Sequence, residues 1–150
     1  MGSGPDQVTQ RSTPILAWIL AIFGATVCLL VAVGFGAQQA DNLWPLPGVY
    51  LVEVIVLGLA VVASLVLTKG INLAIRAATP WLAGGILLAF VILGGFSIGP
   101  YLFPALLAFW LVGVIVDLPR PRKIALHLGL ALLLALLQGG IMLVVIEIGY

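Results

Sequence analysis

Three polar side chains within apolar stretches of the sequence could bind a proton or a cation. Glu53, Gln138 and Glu147 each lie in a run of mostly aliphatic residues. A charged side chain at the centre of a bilayer costs about 2.5–3.5 kcal/mol on insertion scales, and such residues often mark ion or proton pathways. The sequence therefore nominates these three residues as a candidate ion or proton site, with Glu53 as the central group.

Each of the three also has a simpler interpretation, which we favour. Glu53 lies near the predicted outer end of its helix, where it could reach the interface or accept one hydrogen bond from a neighbouring helix. Gln138 is near the middle of the last apolar run and is expected to make an interhelical hydrogen bond. Glu147 lies at the predicted outer end of that run, where contact with water would explain its carboxylate.

Two further polar residues lie near clusters of basic residues. His127, the only histidine, follows Arg122 and Lys123 by about one helical turn, and an imidazole there could titrate. We favour a polar residue at the cytoplasmic interface. Asp117 lies close to Arg120 and is expected in a solvated turn, with a lipid-headgroup site as the alternative.

One apparent catalytic motif does not fit its surroundings. Residues 95–99 read Gly-Phe-Ser-Ile-Gly and match the nucleophile elbow, which requires a strand-to-helix turn and a nearby His–acid pair. This segment falls between two predicted membrane helices on the outer side, whereas His127 is predicted near the inner side. The sequence also contains no HExxH motif, P-loop or dinucleotide-binding fingerprint. We expect no enzyme activity.

We likewise expect no cofactor, metal or nucleic acid. Cys28 is the only cysteine, which excludes an intramolecular disulfide and a CxxC motif. One histidine cannot provide both axial ligands of a bis-histidine haem. The sequence has no basic tract of the kind that binds nucleic acid.

The composition places most of the chain in lipid. Its 150 residues are 63% hydrophobic and only 7% charged, whereas soluble domains are roughly 45–50% apolar and about 25% charged. Six basic and five acidic side chains cannot cover a water-soluble domain of this size. The sequence predicts an all-α, polytopic integral membrane helical bundle.

Five apolar runs define the predicted spans. The predicted helices cover about residues 14–36, 48–68, 80–96, 101–116 and 124–148, in one transmembrane domain (14–150) after a tail of residues 1–13. Residues 69–79 could form a helix along the interface. A helix needs roughly 20 apolar residues to cross a bilayer, and the third and fourth runs are short. A re-entrant hairpin is therefore the alternative to the two full spans that we favour.

The basic residues predict the orientation. With five spans and a cytoplasmic N terminus, every Lys and Arg falls in a cytoplasmic segment and none in an outer loop, as the positive-inside rule requires. The C terminus is then outside. The basic residues are Arg11, Lys69, Arg76, Arg120, Arg122 and Lys123.

Small residues at four-residue spacing predict where the helices pack, because membrane helices associate closely through small side chains. The predicted packing residues are Gly24, Cys28, Ala32 and Gly36 on the first helix, Ala60, Ser64 and Thr68 on the second, and Ala131, Ala135 and Gly139 on the fifth, where His127 begins the row.

Two functional hypotheses remain. We favour a non-catalytic subunit or assembly partner of a larger membrane complex, which contacts lipid and either other membrane subunits or a second copy of itself. The alternative is a small oligomeric transporter or channel that uses Glu53 as its proton- or cation-binding carboxylate. The first is favoured because transport sites usually bring several polar groups together at the midplane. We expect a multi-pass protein of a bacterial plasma (inner) membrane.

Overall fold

Five α-helices make up the structure, a computed structural model that describes residues 14–39, 46–67 and 73–149. The helices are α1 (Ile15–Gln38), α2 (Leu46–Val66), α3 (Leu73–Leu93), α4 (Gly99–Asp117) and α5 (Pro121–Gly149). The described residues contain no strand. All five helices are long and apolar enough to cross a membrane. The prediction of an all-helical membrane bundle with five spans is confirmed.

Helix α3 departs most from its predicted bounds, because it begins at Leu73 and not at residue 80. The helix continues through Pro80, although proline lacks the N–H that an interior helical position normally uses. Neighbouring helices make such a proline tolerable in a membrane. Residues 73–79 therefore belong to a membrane-length helix rather than to a separate interfacial one. Residues 69–72 and the predicted tail of residues 1–13 lie outside the described residues.

The connection between α3 and α4 separates two helices of full length. Residues 94–98 form the turn, in which the Gly99 N–H donates to the Gly94 carbonyl at 2.7 Å. Helices α3 and α4 contain 21 and 19 residues, and roughly 20 are needed to cross a bilayer. These lengths fit two full spans rather than a re-entrant hairpin.

Helices α1 to α4 form a closed ring, and α5 lies outside it. Helix α1 packs on α2 and α4, α3 packs on α2 and α4, and α5 packs mainly on α3 with a short contact to α4. The core inside the ring includes Val54, Leu87, Leu102 and Phe109. We name the two ends of the bundle after their turns, the 118–120 end between α4 and α5 and the 94–98 end between α3 and α4. A cytoplasmic 118–120 end stays a prediction.

The predicted packing residues are enclosed to different degrees. Gly24, Cys28, Ala32, Ser64, Ala131 and Ala135 are buried, whereas Gly36, Ala60 and Gly139 are half-buried. Thr68 lies outside the described residues.

Two other glycines mark the closest helix approaches. A Cβ added at Gly58 of α2 would lie 3.1 Å from Ala25 Cα of α1. A Cβ added at Gly85 of α3 would meet the Ala131 carbonyl of α5. These positions bring helix backbones together, as small residues do in membrane bundles.

Candidate functional site

Side chains from three helices meet at the 118–120 end of the bundle. The Trp81 Nε1–H of α3 donates to Asp117 Oδ2 of α4 at 3.0 Å. His127 Nδ1 of α5 lies 2.6 Å from the same oxygen. The residues are only 3%, 1% and 6% exposed, in chain order. We call these three residues the Trp–Asp–His cluster.

A glycine on α4 positions the indole. A Cβ added at Gly113 would lie 2.6 Å from Trp81 Nε1, so the missing side chain lets the ring lie directly against α4. Gly113 and Asp117 are four residues apart and therefore share a face of the helix. The indole N–H consequently reaches the carboxylate one turn further along α4.

A second close contact positions the histidine. The Ala131 carbonyl occupies the space that a Cβ on Gly85 would need, so α3 and α5 are in backbone contact. Gly85 lies one turn after Trp81, and Ala131 lies one turn after His127. This contact therefore brings His127 to the level of Trp81 and Asp117.

The electrostatics of the cluster depend on its hydrogen-bond donors. Asp117 is the last residue of α4, where the helix dipole disfavours negative charge. A buried carboxylate without partners would be strongly destabilising. The Trp81 N–H and a protonated His127 Nδ1 both stabilise it, and the carboxylate in turn selects a proton on Nδ1.

The expectation that Asp117 lies in a solvated turn was wrong, because the residue is buried. His127 is buried as well, and its place at the cytoplasmic interface stays a prediction. Asp117 is buried because α4 continues to this residue and the turn begins only at Leu118. For His127 a signal was available, since it begins the row that continues with Ala131 and Ala135, and a residue on a packing face is buried.

Glu53 and Gln138 form a second polar contact, nearer the 94–98 end. Gln138 Nε2 of α5 donates to Glu53 Oε2 of α2 at 3.1 Å. Both residues are half-buried. Helices α2 and α5 do not pack against each other along their length, so these two side chains bridge the space between them. We call this contact the Glu–Gln pair.

One pair of aromatic rings lies close to Glu53 along α2. Tyr50, almost one turn before Glu53, meets Phe90 of α3 edge to face, with ring centroids 5.7 Å apart. Leu57 and Ser64, about one and three helical turns after Glu53 on α2, are buried. The amide N–H can donate to either a charged or a neutral carboxyl oxygen, so Glu53 can hold a proton without losing this hydrogen bond.

The third nominated residue, Glu147, does not join them. It is exposed and lies nine residues after Gln138, a separation of two and a half helical turns. It therefore lies on the opposite face of α5. The structure brings Glu53 and Gln138 together and leaves Glu147 apart.

Three hydroxyl groups bond within their own helices, and the single cysteine is buried. The Ser64 hydroxyl donates to the Val61 carbonyl within α2, and Thr26 and Thr79 bond to carbonyls of their own helices in the same way. Cys28 is free and fully buried. Among the described residues, no group of three or more His, Cys, Asp and Glu could hold a metal ion.

Known proteins offer no guide to the role of these two sites. Comparison of the chain with protein-family models, with curated proteins and with solved structures finds no match in any of the three. Function must therefore be argued from the chemistry of the sites and from the surface of the bundle.

Proposed function

We propose that this chain is a non-catalytic subunit of a larger membrane complex, located in a bacterial plasma membrane. The observation that carries the proposal is a contrast between the polar groups and the surface of α5. The polar groups of the two sites bond to each other across helices. The outward face of α5, the helix outside the ring, offers an apolar groove instead.

The two polar sites have the form of contacts that hold helices together. In each site, a carboxyl oxygen of one helix meets a hydrogen-bonding side chain from one or two other helices. Interhelical hydrogen bonds of this kind stabilise membrane bundles. His127 and Gln138 both lie on the face of α5 that packs on the ring, because 11 residues make close to three turns. The sites thus fasten α5 at two levels.

The outward face of α5 carries an apolar groove next to an exposed glycine. The groove is a shallow apolar depression of about 420 Å³, lined by Leu136, Leu137, Gly140, Ile141, Val144 and Val145. A Cβ added at Gly140 would have no atom within 4 Å. A small residue on an exposed membrane helix allows the backbone of another helix to approach closely. We infer that a membrane helix of another subunit packs over Gly140.

Native mass spectrometry tests this proposal. The tagged chain is extracted from its native membrane in mild detergent and measured with whatever accompanies it. The expected result is a stoichiometric complex with at least one other membrane chain. Recovery of this chain only as a monomer or as a homo-oligomer contradicts the subunit role.

A pair of glycine variants locates the contact. Gly140→Leu fills the groove on α5 and should release the partner. Gly129→Leu is the matched control, since Gly129 of α5 also has open space around its Cα but lies about three turns away and does not line the groove. Equal loss or equal retention of the partner in both variants would exclude a specific contact at Gly140.

A second candidate function is a small oligomeric transporter or channel in which Glu53 carries a proton or cation. It is favoured by the 3.1 Å hydrogen bond between Glu53 and Gln138, since two residues nominated from the sequence share one site. Both are half-buried, so part of the carboxyl group is open to a ligand. Carboxyl groups within membrane helices frequently serve ion or proton pathways.

Flux through reconstituted vesicles distinguishes the transporter from the subunit. A potential-driven proton flux is followed with an enclosed pH-sensitive dye for the unaltered chain and for Glu53→Gln. The transporter hypothesis expects flux that Glu53→Gln abolishes and that Glu147→Gln leaves intact, because Glu147 is exposed and apart from the pair. Absence of flux, or unchanged flux in Glu53→Gln, rules out this role.

A further inference from the structure

No residue of α5 before His127 is fully buried. Pro121, Arg122, Ala125 and Leu126 are exposed, and residues 123 and 124 are half-buried. The 118–120 turn joins this segment to α4, and in it the Arg120 N–H donates to the Asp117 carbonyl at 2.7 Å. His127 is the first buried residue of the helix, and Ala131 is the next. The contact between His127 and Asp117 is therefore the first fully enclosed contact that α5 makes with the ring.

We propose that the contact between His127 and Asp117 is a pH-responsive latch that holds the start of α5 against α3 and α4. The latch is closed when the imidazole is protonated and loosens when it loses that proton. This device does not depend on the proposed subunit function.

The charge on the imidazole decides the strength of the contact. A protonated His127 and an ionised Asp117 form an ion pair 2.6 Å apart and almost completely buried. Loss of the imidazole proton keeps the hydrogen bond from Nδ1 but leaves a buried carboxylate without its counter-charge, which is strongly destabilising. Imidazole is the side chain whose charge ordinarily changes between about pH 5 and 8.

The neighbouring basic side chains are of types that ordinarily keep their charge over that range. Besides Asp117, the described charged residues at this end of α3, α4 and α5 are basic: Arg76 on α3, Arg120 in the turn, and Arg122 and Lys123 on α5. Arginine and lysine side chains ordinarily titrate above about pH 10. Asp117 is the one described acidic residue at this end of the three helices. His127 is therefore the described residue at this end whose type of side chain ordinarily changes charge near neutral pH.

The surrounding contacts determine which part moves. The Trp81 N–H donates to Asp117 whatever the state of the imidazole, so the carboxylate stays fixed between α3 and α4. The backbone contact between Gly85 and Ala131 carries no titratable group and holds α5 one turn beyond His127. Loosening is thus confined to residues 121–127.

Electron spin resonance measures this movement directly. In a Cys28→Ala background, spin labels are placed at Ile75→Cys and Leu126→Cys, which are 57% and 60% exposed. The labelled full chain is studied in lipid nanodiscs at pH 5.5 and 8.5. The latch predicts a distance distribution that is narrow at pH 5.5 and both longer and broader at pH 8.5.

A second label pair serves as the control. Labels at Ile92→Cys and Leu136→Cys are also exposed, but Leu136 lies beyond Ala131, so their distance should not change with pH. His127→Gln should remove the response of the first pair, whereas Glu147→Gln should leave it unchanged. A response that persists in full in His127→Gln overturns the latch.

Nitrogen NMR tests the same idea without altering the cluster. His127 is the only histidine, so a chain purified on a histidine-free tag gives one pair of ring ¹⁵N signals. Between pH 5.5 and 8.5, Nε2 should lose its proton while Nδ1 keeps its own. One unchanging protonation state, or loss of the proton with no change in the label distances, contradicts the proposal.

Discussion

The Trp–Asp–His cluster and the Glu–Gln pair attach the same helix to the same ring, but the protein encloses them differently. The cluster joins three helices, and its residues are at most 6% exposed. The pair joins two helices through one hydrogen bond, and both residues are half-buried. Because the cluster is buried, water and lipid headgroups cannot replace its hydrogen-bond partners. The Glu–Gln pair instead lies between α2 and α5, which do not pack against each other along their length.

This difference predicts unequal energies for chemically similar contacts. Breaking a buried charge pair by removing one partner typically costs about 3–5 kcal/mol. Hydrogen bonds between membrane helices average only about 0.6 kcal/mol, because the groups find other partners when the bond is broken. The cluster should therefore behave like the buried core of a soluble protein, and the pair like an ordinary membrane hydrogen bond.

Removal of the Asp117 carboxylate should have the largest effect. Asp117→Ala leaves the buried Trp81 N–H and the buried His127 without their shared acceptor, so we expect a loss of about 3–5 kcal/mol in the free energy of unfolding. Unfolding by SDS in mixed micelles, followed by circular dichroism, measures this loss.

Asp117→Asn is the matched variant for that experiment, because it keeps an acceptor oxygen and removes only the charge. It should lose clearly less stability than Asp117→Ala. If the two variants are equally destabilised, the hydrogen-bond acceptor is unimportant and the charge alone matters. If neither differs from the unaltered chain, the contrast between the two sites disappears.

The next effect should come from the glycine under the indole. In Gly113→Ala the new Cβ would lie 2.6 Å from Trp81 Nε1, so the ring must move away from Asp117. Overpacking of this kind costs about 1–3 kcal/mol. The same SDS titration applies, and Gly129→Ala on α5 is the control, since a Cβ there meets no atom within 4 Å. Equal stability of the two variants would mean that the indole position is not fixed by Gly113.

The spans could be read from the sequence because they depend on local composition. A run of apolar residues must be helical in lipid, whatever its neighbours. The start of α3 was harder, since Pro80 resembles the first residue of a helix and Arg76 resembles an interfacial residue. The structure instead continues the helix through both residues.

The two sites could be predicted only in part, because each depends on which helix faces meet. The sequence nominated Glu53 and Gln138 separately. The four-residue spacing of His127, Ala131 and Ala135 placed His127 on a predicted packing face. Nothing in the spacing along the chain joins α2 to α5, or places Asp117 against Trp81. Gly85 and Gly113 bring the cluster together. Their role can be recognised only when the structure shows that they face the Ala131 carbonyl and the Trp81 indole.

The Glu–Gln pair should show a smaller coupling than the cluster. A double-mutant cycle with Glu53→Ala and Gln138→Ala should give a coupling free energy of about 0.6 kcal/mol, with about 1.7 kcal/mol as the upper end seen for such bonds. The cycle is measured by SDS titration, and it corrects for the packing that each side chain contributes alone. A coupling as large as the loss in Asp117→Ala would make the two sites equivalent.

The smallest effect is expected at Glu147, the third nominated carboxylate. Glu147→Gln should change the free energy of unfolding by no more than about 0.5 kcal/mol, as for most exposed substitutions. Its side chain is exposed on the face of α5 opposite Gln138, so the change alters no contact within the bundle. The same SDS titration measures it beside Glu53→Gln, which replaces the carboxyl group in a half-buried hydrogen bond. A larger loss of stability in Glu147→Gln than in Glu53→Gln would mean that the exposure of a carboxyl group does not determine its contribution to the free energy of unfolding. Burial and shared hydrogen bonds would then not explain why the two polar sites differ.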